Sequence, residues 1–243
     1  MLGLAITACL VIVPLVTGLL ICLAFSKSNY LASECKQISP AYFMILAVLF
    51  SLFSNLLASE LWNNINQTNS DIRKEVANLR SVLRFSETFD KEFAEKIHVS
   101  VIAYKDMAIN NELTSTNYYT ASIPQSPLIK IFNVISTADA SKRQNPFFMS
   151  FMKSLDDVRA SRYDRLLLKS SHISNIKYGL LFVFGILTQL AIAAVHRSSK
   201  EVLLFTVMLF SIGFSVTIFV IECLNWPYEY PYFIDKSMFN LVS

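Results

Sequence analysis

Charge is scarce in this chain. Only 16% of its 243 residues are Asp, Glu, Lys or Arg, against roughly a quarter in an ordinary soluble domain. Five glycines are too few for a collagen repeat or a phosphate-cradling loop. The three histidines, His98, His172 and His196, are far apart and belong to no HExxH pattern, and no GxSxG nucleophile turn is present. The four cysteines, Cys9, Cys22, Cys35 and Cys223, lie in or near apolar stretches. The long polar middle has none, which excludes a CxxC metal site or a disulfide-stapled domain there.

What fills the space is apolar. Residues of the AVILMFWYC class make up 53% of the chain, 19 of them Phe, and the mean hydropathy is +0.45. Such a chain is neither disordered nor a nucleic-acid-binding arm. A net charge of +3 and a pI near 8.6 suit a membrane protein with some basic cytoplasmic surface better than a nucleic-acid binder.

A bilayer core about 30 Å thick takes roughly 20 apolar residues of helix to cross. Stretches 2–25, 37–59, 178–195 and 202–221 reach or nearly reach that length, and charge bounds each on its polar side. The third is short, and Lys177 and Arg197 can extend it by snorkelling. The first has no basic flank before it and exceeds the apolar core of a signal peptide, so it reads as a retained span; Ile6-Thr7-Ala8-Cys9 resembles a lipoprotein cleavage box but lacks that flank too. Pro14 should kink this span. Pro227 and Pro231 should end the last helix, beside the interfacial aromatics Trp226, Tyr228 and Tyr230.

The expected fold is an all-α integral membrane protein. Two transmembrane hairpins, 1–59 and 178–222, flank a helical region, 60–177, with a tail at 223–243. Four spans put both termini and the middle on one side, and the loops Ser26 to Lys36 and His196 to Glu201 on the other. Lys27, Lys36, Arg197 and Lys200 in those loops weigh against Arg73, Lys74, Arg165, Lys169 and Lys177 at the edges of the middle. The balance favours a cytoplasmic middle. The sequon at Asn66 matters only if that side is lumenal.

Within the middle, Leu61, Ile65, Ile72, Val76, Leu79, Leu83 and Phe93 recur mostly at steps of three and four, with Arg73, Glu75, Arg80 and Arg84 off that stripe. Span two should therefore continue as a helix beyond the bilayer. A helix carrying Tyr104, Met107 and Ala108 fades by Leu113 into a polar break that runs from Thr114 to Pro124 and Pro127. Helices are expected from Leu128 to about Thr137, and from Asn145-Pro146 to about Ser170 with Phe151, Leu155, Val158 and Leu166 inward.

Few side chains converge as catalysis requires, and no metal or cofactor set is evident. Asp156 and Asp157 are neighbours, so on a helix they point about 100° apart. Arg159, Arg162 and Arg165, at steps of three, share a helix stripe. They could attract anions or phospholipid headgroups, or pair with Asp156, Asp164 and Glu residues of the preceding helices; pairing is the commoner use.

In span two, Ser51, Asn55 and Ser59 fall at four-residue steps beside Ser54, with Phe50 and Phe53 directed elsewhere. A polar stripe at membrane depth must face protein or water. Helix packing is its usual role. If it instead lines a pore, Ser51, Ser54, Asn55 and Ser59 would offer dipoles to an ion, and Phe50 or Phe53 would form an apolar constriction. Thr188, Gln189, Ser211, Gly213, Ser215 and Thr217 read as packing positions. No span contains a charge in its interior, which argues against a proton-coupled pump.

Several local patterns, in order, resemble a known family. Glu75-Val76-Ala77-Asn78-Leu79 is similar to its Glu-Ala-x-x-Leu run. Tyr104 and Glu112 have its Tyr to Glu-Trp spacing, with Leu113 in place of Trp. Arg162-Tyr163-Asp164-Arg165-Leu166 is similar to its Arg-x-x-Arg-Leu signature, and Leu224-Asn225-Trp226-Pro227-Tyr228 to its Asp-x-Pro-Phe ending, with Asn225 for Asp. From about residue 40 onward the chain thus resembles the bestrophin-like four-helix membrane proteins of bacteria and plants, a family of unknown function. The resemblance implies the same two-hairpin layout. By analogy with bestrophins it also implies a homo-oligomer, a pentamer being the candidate number, that conducts inorganic anions such as chloride through a pore lined by span two. A non-conducting scaffold whose helical middle docks a partner is the alternative. Neither reading involves catalysis, a cofactor or nucleic acid.

Overall fold

The computed structural model describes residues 2–27, 41–113, 127–136, 139–169, 173–197, 199–228 and 234–242. Cys35, His172, Tyr230, Pro231, the break from Thr114 to Pro124 and most of the first expected loop lie outside them. The described residues are helical, without strands: α1 (Leu2–Lys27), α2 (Ala41–Ser86), α3 (Lys91–Met107) running into a π-helical turn (Ala108–Glu112), α4 (Pro127–Ser136), α5 (Ala140–Arg143), α6 (Phe148–Lys169), α7 (Asn175–Val195), α8 (Lys200–Asn225) and a 3₁₀ segment (Lys236–Leu241). Four of these, α1, α2, α7 and α8, are long and apolar enough to cross a membrane.

The chain divides into two compact units, one of Met1–Trp62 with Ile173–Trp226, the other of Asn63–His172 with Pro227–Ser243. In the first, α1 packs on α7 and α8, and α7 on α8. Ile21 and Cys22 of α1 meet Ile192 and Ala193 of α7 and Leu203 and Val207 of α8, with Phe25, Phe43 and Phe210 around them. Helices in lipid gain little from hydrophobic burial, so close approach at small residues and interhelical hydrogen bonds hold them together. Gly18 shows the close approach, because a Cβ there would lie 2.2 Å from Ser211 Oγ; at Gly185 it would meet the Phe214 ring at the same 2.2 Å.

Gln189, fully buried, supplies the hydrogen bonds. Its Nε2 donates to Pro14 O and to Ser211 Oγ, both at 2.8 Å, and its Oε1 accepts from Thr17 Oγ1 at 3.0 Å. Gln189 and Ser211 are therefore packing positions, with their polar atoms satisfied inside the chain. At one end of this unit Asn225 Oδ1 accepts the Ile173 N–H at 3.0 Å. Glu222 accepts from Tyr178 Oη and, at 3.1 Å, from Trp226 Nε1.

Helix α2 does continue past span two, for 46 residues in all, but it stops at Ser86, so Phe93 is not part of its stripe. Asp90 opens a new helix instead, its carboxylate accepting the Phe93 N–H at 2.8 Å as an N-cap. In the second unit α3 packs on α4, and the rings of Phe89, Phe93 and Phe151 cluster with centroids 5.2 to 6.0 Å apart. Asn145 takes the Phe147 N–H at 2.9 Å, and α6 begins at Phe148, two residues beyond the expected start at Pro146. The C-terminal segment is fastened to this unit by Lys105 Nζ donating to Val242 O at 2.7 Å, and by the Asp235 N–H donating to Asn69 Oδ1 at 3.2 Å. Phe239 is fully buried beneath it.

Candidate functional site

Two sets of side chains stand out, one on the membrane part of α2 and one inside the second unit. On α2, Phe50, Leu57 and Leu61 are buried, while Ser51, Asn55 and Ser59 are exposed. Successive residues turn by 100°, so the steps of four that align the polar residues carry the apolar set to the opposite side. Phe50 packs edge-on against Phe210 and Phe214, with centroids 5.5 and 5.1 Å away, and Phe53 lies 5.8 Å from Phe184. Phe50 thus sits in the chain's own packing and not beside Asn55 on the exposed face. Ser54 is half-buried and donates back to Phe50 O at 2.7 Å, the usual satisfaction of a helix hydroxyl. Ile45, Leu52 and Leu56 form a second exposed face, entirely apolar.

The second set assembles the motif residues. Glu75, Tyr104 and Arg165 have no exposed surface, and Glu112 is 4% exposed. Arg165 Nε donates to Glu75 Oε2 at 2.8 Å; its Nη2 reaches Glu75 Oε1 at 3.1 Å and Glu112 Oε2 at 2.7 Å. Tyr104 Oη also donates to Glu75 Oε1. Arg162 binds the remaining oxygen of Glu112 through Nε at 3.0 Å and Nη2 at 2.5 Å. Glu112 closes the π-helical turn, whose wider winding is marked by Leu113 N–H donating to Ala108 O at 2.9 Å. Lys169 donates to Glu112 O and lies 5.0 Å from the centre of the Tyr228 ring, tying in the tail.

Arg162 and Arg165 are thus paired, and their partners are the glutamates of α2 and of the π turn, not Asp156 or Asp164. Only Arg159 of the three is exposed. Glu75 is likewise corrected: it lies three residues after Ile72 and one before Val76, on the buried stripe and not off it. Burial also pushes the Tyr228 phenol up to about 12, so it stays neutral. Among the described residues no three His, Cys, Asp or Glu are grouped as metal ligands would be.

Burial works to raise the Glu112 pKa, but Arg165 and Arg162 together outweigh it and hold the carboxyl below its ordinary 4.5. A depressed carboxyl contributes stability that is present above the unfolded value and lost as pH falls through the folded one. The second unit should accordingly keep its thermal stability from neutral pH down to about 5 and lose it steeply below about 4. A melting series in detergent, followed by circular dichroism across that range, checks this. An Arg162→Gln variant should be less stable at neutral pH and lose less of its stability across that range, because the Glu112 pKa then lies closer to its unfolded value, and coincident profiles would contradict the pairing.

Known proteins share this fold. Two crystal structures of a bacterial bestrophin homologue from Klebsiella pneumoniae, each a point mutant, superimpose with TM-scores of 0.73. One is 12% identical and aligned over 98% of this chain and 94% of its own; the other is 13% identical and aligned over 96% of each. At that identity the likeness establishes the fold. No curated protein matches the chain. The bestrophin-like domain matches residues 9–238, a span that contains the whole Glu75, Tyr104, Glu112, Arg162 and Arg165 network, and the chain belongs to the bestrophin-like family.

Proposed function

We propose that this protein is the subunit of a homo-oligomeric ion channel, pentameric by analogy with bestrophins, that conducts inorganic anions through a pore lined by α2. The observation that carries this reading is the contrast between two sets of polar side chains in the membrane helices. Thr17, Gln189 and Ser211 satisfy one another inside the chain, whereas Ser51, Asn55 and Ser59 are left outside its packing. Polar groups facing hydrocarbon without partners are costly, so this face calls for water or another subunit. A ring of α2 helices supplies both. Asn55 and the serines would then replace part of an ion's hydration shell with their dipoles. The central helical region and both termini lie in the cytoplasm of a bacterial cell on this reading, with the spans in the inner membrane.

The test is flux from proteoliposomes. Purified protein should dissipate a chloride gradient faster than empty vesicles do, and should pass chloride in preference to potassium. If neither ion moves under varied pH, calcium and voltage, the scaffold reading takes its place and residues 60–177 become the region in which to seek a partner.

A further inference from the structure

The stretch of α2 that lies in the second unit carries its own exposed polar face. Arg73, Arg80 and Arg84 are exposed, as is Ala77 between them. Steps of seven and four residues keep the three guanidinium groups on one side of the helix. None of them forms an ion pair among the described residues, where the bridges run between other side chains. Of the nearby carboxylates, Asp71 is buried and held by Lys74 at 2.8 Å, while Asp235 accepts from Ser237 Oγ and N at 2.6 and 3.0 Å and also feels the charge of Arg73, without forming an ion pair with it. Glu87 is exposed on the turn after the helix. Arg84 also lies 5.7 Å from the centre of the Phe85 ring, which leaves its hydrogen-bond donors available.

Soluble anions and lipid headgroups share the chemistry that guanidinium recognises, and distance separates them. Glu60 is the first charge after the apolar run. A rise of 1.5 Å per residue puts Arg73, Arg80 and Arg84 about 20, 30 and 36 Å further along the helix. The headgroup layer is only about 5–8 Å deep, so Arg80 and Arg84 are out of its reach. Three like charges on one face, none in an ion pair and only Arg73 within the field of a carboxylate, Asp235, raise the local concentration of small anions by roughly 10-fold or more at low salt.

We propose that Arg73, Arg80 and Arg84 form a ladder that concentrates small soluble anions, of the class of chloride, nitrate and inorganic phosphate, along this face of α2. Resting on the channel reading, the ladder also sets the sign of ion that the pore admits.

The two parts are tested separately. A cysteine at position 77 (Ala77→Cys) reports the local potential through its reaction rates with a sulfonate-bearing and a trimethylammonium-bearing methanethiosulfonate, followed by peptide mass so that the native cysteines do not interfere. At about 20 mM salt, where charges act over roughly 20 Å, the anionic reagent should lose about tenfold of its advantage when the three arginines are changed to glutamine. The loss should vanish near 1 M salt. An unchanged rate ratio overturns the ladder whether or not the protein conducts. Reversal potentials of wild type and of Arg73→Gln/Arg80→Gln/Arg84→Gln under a potassium chloride gradient test selectivity. A shift toward the potassium equilibrium potential supports it, and coincident potentials overturn that part. Absence of current in both proteins refutes the channel reading and leaves the rate ratio to decide the ladder.

Discussion

Replacing Arg165 by methionine should cost about 3–5 kcal/mol, the expected penalty for removing one member of a buried ion pair. The substitution leaves two carboxylates, Glu75 and Glu112, facing each other without the cation that both contact, in a site with no exposed surface at Arg165. Domains are stable by only about 5–15 kcal/mol, so a loss of this size should leave the helical region partly unfolded near body temperature. Thermal melting in detergent, read as the fraction surviving in the main size-exclusion peak, is the appropriate measurement. Arg165→Lys should rescue only in part, since an ammonium cannot reach Glu75 and Glu112 with the same fork. Pairing Arg165→Met with Glu75→Gln should recover stability relative to Arg165→Met alone, because the amide removes one uncompensated charge. A melting curve unchanged by Arg165→Met would show that the network is not what holds the unit together.

Asn55→Leu should abolish anion flux or reduce it at least about tenfold, the loss expected when a well-placed dipole at an ion site is replaced by an apolar group worth more than 1.4 kcal/mol less to the ion. The side chain is exposed from the chain's own packing, so the subunit itself should still fold and insert. Leu56→Ala, on the neighbouring apolar face, should leave flux near the wild-type rate. Flux through Asn55→Leu equal to that of the wild type would remove α2 from the pore, even with the channel reading intact.

Helix periodicity carries far in this chain, and it misleads where charge is buried. Long uncharged runs identify the four membrane helices because hydrocarbon tolerates little else. The spacing of Ser51, Asn55 and Ser59 places them on one face by helix geometry alone. The same geometry places Glu75 among Ile72, Val76 and Leu79, yet a carboxylate on a buried stripe reads as an outward residue until its partners are known. Those partners, Tyr104 and Arg165, are 29 and 90 residues away in sequence, beyond the reach of any local pattern. For Arg162 and Arg165 the limit is the same: their spacing gives a stripe that favours pairing but not which carboxylates it faces. The motif resemblance was the signal that could have joined them, since it gathers Glu75, Tyr104, Glu112, Arg162 and Arg165 before any contact is seen. Phe93 illustrates a different limit. It keeps the apolar rhythm of α2, but Asp90 caps a new helix three residues earlier, and a capping carboxylate interrupts a helix without disturbing the hydrophobic pattern.

Cysteine accessibility along α2 in the conducting protein tests the central claim most directly. Single cysteines at positions 51, 52, 55, 56 and 59 would be exposed in turn to a membrane-impermeant, negatively charged thiol reagent while chloride flux is followed. The account predicts that modification at 51, 55 and 59 blocks flux, and that positions 52 and 56, on the apolar face, neither react nor affect it. Block at 52 and 56 with 51, 55 and 59 silent would contradict it.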